Sequence, residues 1–329
     1  MQFIPGIGVI AEEYREDFHD RDRTSDGAWR VGVEGVLRIL TPLDRKVEFI
    51  CFEDRTLTLV KSGMGHPAIY PLPDGRFEPP AKAVLMDLDG TSVVSEEFWI
   101  WIIEQSTARL LDNTKFTLEE ADLPHVSGHS VSEHLRYCID KYCPGKTVEE
   151  GRKHYFDITH FELNEILEGR GKKNAFKPAP GLREFLLELK GHGVKIGLVT
   201  SGLYEKAWPE IVSAFRTMDL GNPLEFYDAM ISAGFSIKRG QVGTLGELEA
   251  KPHPWLYAEV ARVGLGIEPS MRHRTIGMED SSAGVVAIRL AGFAAIGIGG
   301  GNITQSGVRP LLLAECASLS EALPIILGR

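Results

Sequence analysis

Val84-Leu85-Met86-Asp87-Leu88-Asp89-Gly90-Thr91 is the stretch on which the reading of the whole chain turns. An apolar run that stops on a carboxylate predicts a buried strand ending at a reactive edge of a sheet. Asp87 and Asp89 stand at that edge, and Gly90 follows as the turn residue. Acids in turns are common. Two of them directly after a buried strand look instead like a nucleophile and its acid/base partner.

Outward from this stretch the chain changes character in both directions. From Lys82 onward strands and helices alternate, which implies a parallel sheet with helical crossovers. Strands are predicted at Ala83 to Met86, Val194 to Val199, Asp228 to Ser232, Thr275 to Met278 and Ala294 to Ile298. Between Phe98 and about Lys177 the pattern is helical throughout, as in a cap inserted after the first strand. Pro178-Ala179-Pro180-Gly181 restarts the α/β pattern, and Leu182 to Lys190 has a helix period. Before residue 80, Trp29 to Leu40 and Val47 to Val60 are short, β-rich and broken by Gly, Pro and Asp. The expected fold is therefore α/β, a doubly wound parallel sheet with an inserted helical cap and an N-terminal β-rich extension. The boundaries fall at 1–80 for the extension, 81–96 and 178–329 for the catalytic core, and 97–177 for the cap. The charged run Glu12 to Arg23 is expected to be a solvated face or a disordered lead-in.

Three more polar clusters close a strand or open a helix. They are Thr200-Ser201-Gly202, Lys251-Pro252 and Glu279-Asp280-Ser281. In an open parallel sheet such strand ends face one crevice, so residues far apart in sequence become neighbours. Each cluster alone also fits a bland role, Ser281 as a helix cap or Thr200 in a capped turn. All four together, in order and at strand ends, point to chemistry. Asp87, Asp89, Glu279 and Asp280 opposed by Lys251 alone would crowd four carboxylates around one cation, which is unfavourable unless a metal joins them. Hard oxygen donors with room for water and a phosphate suit Mg²⁺.

This four-part layout resembles the haloacid dehalogenase superfamily of phosphatases and phosphomutases over roughly residues 82 to 300. The resemblance implies Asp87 as nucleophile, forming an aspartyl-phosphate, and Asp89 as the acid/base that serves the leaving oxygen and then water. It implies that Asp87 and Asp280 bind Mg²⁺ by their side chains and Asp89 by its carbonyl, with Glu279 beside the metal. Thr200, Ser201 and Lys251 would clamp the phosphoryl group. The helical insert looks like the cap of the phosphoglycolate phosphatase and β-phosphoglucomutase branch. In it, Ser127-Gly128-His129-Ser130 resembles a substrate-contacting loop, making His129 a specificity residue. Trp99 and Val131 stand where mutase-like members carry histidine and arginine, and Asp89 is the acid that dehalogenases and phosphonatases lack. The family's Lys-Pro-x-Pro-Asp string here becomes Lys251-Pro252-His253-Pro254-Trp255.

The expectation is thus a Mg²⁺-dependent phosphatase acting on a small phosphorylated metabolite. A sugar phosphomutase is the alternative enzyme. A non-catalytic binding or regulatory protein using the N-terminal extension is the alternative from another class, and self-association through that extension is a further expectation. Composition narrows the partners. The 329 residues carry a formal net charge of -10, which disfavours general nucleic-acid binding. No apolar run approaches the length of a membrane helix. Cys51, Cys138, Cys143 and Cys316 form no CxxC pair, and the N-terminus lacks the basic start and apolar run of a signal peptide. A reduced cytoplasmic setting follows as the simpler expectation.

Overall fold

A computed structural model describes residues 3–61, 67–126, 131–232 and 249–329. The chain forms two compact units, one of Met1–Ser92, Ala179–Ala207 and Leu220–Arg329, the other of Val93–Pro178 and Trp208–Asp219. The boundary drawn at residue 80 falls inside the first unit.

After a short antiparallel pairing of Phe3–Ile4 with Gly8–Val9, the first unit forms an antiparallel meander of five strands, β1 (Phe18–Arg21), β2 (Arg38–Pro42), β3 (Val47–Cys51), β4 (Thr56–Val60) and β5 (Ala68–Pro71). Apolar residues at consecutive positions give this sheet two buried faces, because neighbouring side chains point opposite ways. Leu40 pairs with Phe49 on the face that joins the main core, while Ile39 pairs with Ile50 in a satellite cluster with Val36, Phe52 and Leu59. The run Glu12 to Arg23 is mostly a solvated face, as one of its two expectations had it, and not a disordered lead-in. It forms a 3₁₀ turn at Glu12–Asp17 and then β1, and buried Asp17 takes a bidentate pair from Arg309 at 2.8 and 2.6 Å. A charged stretch hid this because its few anchors, Asp17 and Phe18, do not recur with a period.

The second sheet is parallel and six-stranded. Its strands are β6 (Ala83–Asp87), β7 (Lys195–Thr200), β8 (Ala229–Ser232), β9 (Thr275–Glu279), β10 (Ala294–Ile298) and β11 (Ala314–Cys316). The spatial order is β8-β7-β6-β9-β10-β11. β6 to β10 match the five predicted strands. β11 is a three-residue edge strand interrupted by Glu315, too short and too polar to carry an apolar signal. Residues 83–86 are fully buried, as expected of a strand covered on both faces. Helix Leu182–Gly191 buries Leu182, Phe185, Leu186 and Leu189 as its period predicts. Helix Ser282–Leu290 starts on Ser281, whose side chain accepts from the Gly284 N–H at 3.2 Å.

The second unit is built on α-helices Glu96–Leu110, Val131–Tyr142 and Val148–Leu167. Its one strand pairing among the described residues is the two-residue match of Val93–Val94 with Lys177–Pro178. Phe98 packs on Trp99, Trp101 and Phe176 with ring centroids 5.0, 5.8 and 4.5 Å apart, so both tryptophans serve packing within this unit.

Candidate active site

The strand register brings the predicted residues together. β6 lies between β7 and β9, the point where the strand order reverses and where ligands of such sheets bind. Asp87 pairs with Val199, which places Thr200 one step beyond it on β7. Met86 pairs with Met278, which places Glu279 beside Asp87 on β9. Lys251 enters from the segment before helix Trp255–Glu259 and donates to Asp87 Oδ1 and to Glu279 Oε1, each at 2.5 Å. Its backbone N–H donates to Ser201 Oγ at 3.2 Å, so the turn after β7 holds the segment that carries the lysine. Thr200 Oγ1 accepts from the Gly202 N–H at 2.9 Å, the capped turn that is its structural role. Asp89 is 39% exposed on its side chain and stands 3.9 Å from Lys206 Nζ.

Close approach explains two glycines. Gly90 has φ +82°, and a Cβ there would lie 2.0 Å from Asp280 Oδ2. A Cβ on Gly284 would lie 1.8 Å from the Glu279 carboxyl. Both positions need glycine for the acids to sit where they do.

The charges are unbalanced. One carboxylate oxygen from each of Asp87, Glu279 and Asp280 lies within 4.8 Å of the others. Burial and the Glu279 carboxylate push the Asp87 carboxyl well above its ordinary value, against the pull of Lys251. Burial, again with Glu279, pushes Asp280 up to about 7. For Lys251, burial opposes the charge, but Asp87 and Glu279 outweigh it and hold the ammonium protonated. Asp87 Oδ2 is buried and has no hydrogen-bond partner among the described residues. Glu279 differs. Its Oε1 accepts from Lys251 and from Tyr257 OH at 2.7 Å, and its Oε2 from Ser281 Oγ at 2.9 Å.

The family model of the haloacid dehalogenase-like hydrolases matches residues 81–292. The chain belongs to this family. Among solved structures, a predicted phosphoglycolate phosphatase from Haemophilus somnus superposes with TM-score 0.54 at 18% identity, covering 75% of this chain and 98% of that one. A protein provisionally named as a β-phosphoglucomutase from Thermotoga maritima gives TM-score 0.53 at 20% identity, covering 74% and 98%. CbbY from Rhodobacter sphaeroides, in complex with phosphate, gives 0.51 at 19%, covering 76% and 100%. At such identities the likeness speaks for the fold. No curated protein sequence matches the chain.

In this haloacid dehalogenase-like hydrolase the donor set fits a hard divalent cation. The orphaned Asp87 Oδ2, the raised Asp87 and Asp280 carboxyls and their all-oxygen chemistry each favour one. His129, with Ser127, Gly128 and Ser130, lies outside the described residues. Two contributors carried no sequence signal. Tyr257, fully buried, donates to Glu279, and burial with the carboxylates holds its hydroxyl protonated. Asn302 donates its N–H to the Asp280 carbonyl at 3.0 Å and accepts from the Ser282 N–H at 2.8 Å. A Cβ on Gly301, just before Asn302, would meet the Asp280 carbonyl at 2.1 Å. No helix among the described residues is long and apolar enough to cross a membrane, and all four cysteines are free and buried.

Proposed function

We propose that this hydrolase is a Mg²⁺-dependent phosphatase that cleaves a small phosphorylated metabolite. The observation that carries the reading is the triad of Asp87, Asp280 and Glu279, balanced among the described residues by Lys251 alone and with one Asp87 oxygen unpartnered among them. In the proposed reaction an Asp87 oxygen attacks phosphorus, the bond from phosphorus to the substrate oxygen breaks, and that oxygen takes a proton from Asp89. Water then attacks phosphorus and gives a proton to Asp89. Inorganic phosphate leaves and the Asp87 carboxylate is restored. Lys251 and the turn at Thr200 and Ser201 hold the phosphoryl oxygens. Mg²⁺ bound by Asp87, Asp280 and the Asp89 carbonyl would supply the positive charge that lets a carboxylate approach a phosphate dianion. Glu279 contributes by fixing Lys251 through the 2.5 Å contact.

The test is release of inorganic phosphate from a panel of phosphorylated metabolites, with Mg²⁺, with EDTA and with Asp87→Asn. Metal-dependent turnover that disappears in the variant supports the reading. Isomerisation stimulated by a sugar bisphosphate, without phosphate release, would replace it by a mutase.

A further inference from the structure

The sequence assigns no chemistry to the first 80 residues, yet their sheet is tied to the two loops that carry Lys251 and Asp280. The apolar ties come first. Leu40, Val47, Phe49, Cys51 and Val60 lie in one core cluster with Leu256, Tyr257, Val260 and Ala261 and with Val285, Val286 and Ile288. Those are the helical segments that follow Lys251 and Asp280. The face of the sheet thus packs on the elements that aim both side chains.

Polar ties stand nearer still. Asp44, in the turn between β2 and β3, accepts from Ser282 Oγ at 2.6 Å. Ser282 is two residues past Asp280 and opens the helix after it. Its N–H is held by Asn302, which in turn holds the Asp280 carbonyl. Tyr70, on β5, shares a 2.8 Å hydrogen bond with His253 Nδ1, and its ring packs edge-on against His253 and Trp255 at 5.8 and 5.9 Å. His253 is buried, two residues past Lys251. Buried Arg289, in the last turn of the Asp280 helix, donates to the carbonyls of Gly6 at 2.5 Å and Pro73 at 3.2 Å.

We propose that the N-terminal sheet is a positioning element of the catalytic centre, with Asp44 acting through Ser282 on the Asp280 loop and Tyr70 acting through His253 on Lys251. The assignment rests on the phosphatase reading for its chemistry, but not for its geometry. Hydrogen bonds behind metal ligands and phosphate-binding groups fix their orientation, and losing one typically weakens metal binding by about 10- to 100-fold. An ordinary hydrogen bond of the Tyr70 kind is worth roughly three- to tenfold. The two ties therefore have separable effects.

The experiment uses the full chain. Mg²⁺ affinity is measured by calorimetry on metal-free protein, and inorganic phosphate affinity on the Mg²⁺-loaded protein. The variants are Asp44→Ala, Ser282→Ala, their double, and Tyr70→Phe, each checked for an unchanged melting profile. Asp44→Ala is expected to weaken Mg²⁺ binding about tenfold, with Asp44→Asn restoring part of the loss because it keeps a side-chain hydrogen-bonding group. The double variant is expected to be no worse than Ser282→Ala alone, since both remove one bond. Tyr70→Phe is expected to weaken phosphate binding roughly three- to tenfold while leaving Mg²⁺ affinity unchanged. Equal Mg²⁺ and phosphate affinities in all variants would overturn the proposal, as would losses in Asp44→Ala and Ser282→Ala that simply add. A wild-type protein that binds both ions but releases no phosphate from any ester would sink the phosphatase reading and leave this test intact.

Discussion

Lys251 Nζ lies 2.5 Å from Asp87 Oδ1, and the two side chains are only 6% and 8% exposed. A buried pair of this kind does two jobs, because the same cation that would grip a phosphoryl oxygen also pulls the raised carboxyl of its would-be nucleophile back toward the ionised form. Lys251→Met is expected to lower kcat/KM by about two to three orders of magnitude. It also leaves Asp87 and Glu279 facing one another without a counter-charge, a loss of about 3 to 5 kcal/mol. That stability loss should be smaller at pH 5 than at pH 8, because protonation relieves the repulsion. Denaturant unfolding at both pH values checks it, and an equal loss at the two would argue against carboxylate repulsion as the cause.

Mg²⁺ is expected to raise the melting temperature of the wild-type protein. At a free concentration one hundred times its Kd it adds about 2.7 kcal/mol of stability. Asp280→Asn removes a ligand charge and should abolish most of the shift at the same Mg²⁺ concentration. A thermal scan with and without the ion decides the matter. A shift of the same size in both proteins would remove Asp280 from the ligand set.

Gly284 gives a prediction against helix propensity. In a helix, Gly→Ala normally stabilises by about 1 kcal/mol. At Gly284 the new methyl would collide with the Glu279 carboxyl at 1.8 Å. Gly284→Ala should instead destabilise by roughly 1 to 3 kcal/mol. Gly191, at the end of helix Leu182–Gly191 with nothing within 4 Å of its added Cβ, is the control that should be neutral or stabilising. Stabilisation of both variants would mean that Glu279 yields freely.

Acid stability has a separate origin in the helical unit. Asp122 is fully buried and accepts from Tyr137 OH at 2.7 Å, Tyr142 OH at 2.5 Å, Lys141 Nζ at 2.7 Å and the Glu119 N–H at 2.8 Å. Burial raises its carboxyl, but Lys141 and the two tyrosines outweigh it and hold it well below the ordinary value of 3.8. A depressed folded-state pKa stabilises fully above the unfolded-state value and loses that contribution as pH falls below it. Melting temperature should therefore drop as pH falls from about 4. Asp122→Asn should be less stable at pH 7 and show a flatter slope below pH 4. Parallel slopes would mean that other carboxylates govern acid unfolding.

Much of the centre was legible because its residues lie at the ends of apolar runs. β6, β7 and β9 each announce themselves by composition, and Asp87, Thr200 and Glu279 follow from where the runs stop. Lys251 was legible from its place just before a predicted helix and from the four carboxylates it would oppose, although a lysine before a proline has no periodicity of its own. Tyr257, Asn302, Asp44 and Tyr70 were not legible. Their contacts span 22, 20, 238 and 183 positions along the chain, and a tyrosine or an aspartate in a turn looks the same whether it faces water or a partner. The meander at β1 to β5 was foreseen as β-rich, but its shared core with the helices after Lys251 and Asp280 could not be, since apolar pattern marks a face and not what covers it.

That shared core has a consequence for the order in which the protein is made. The sheet holding Leu40, Phe49 and Val60 leaves the ribosome long before Leu256 to Ala261 and Val285 to Ile288 exist to cover it. During synthesis its inner face has no lasting neighbour, and the nascent chain must carry that exposed apolar surface for most of its length. Nascent chains halted before residue 255 should accordingly be cut by protease within residues 18–71, whereas chains released at full length should resist. Protection already present at the early stop would show that the sheet finds cover sooner than its final partners allow.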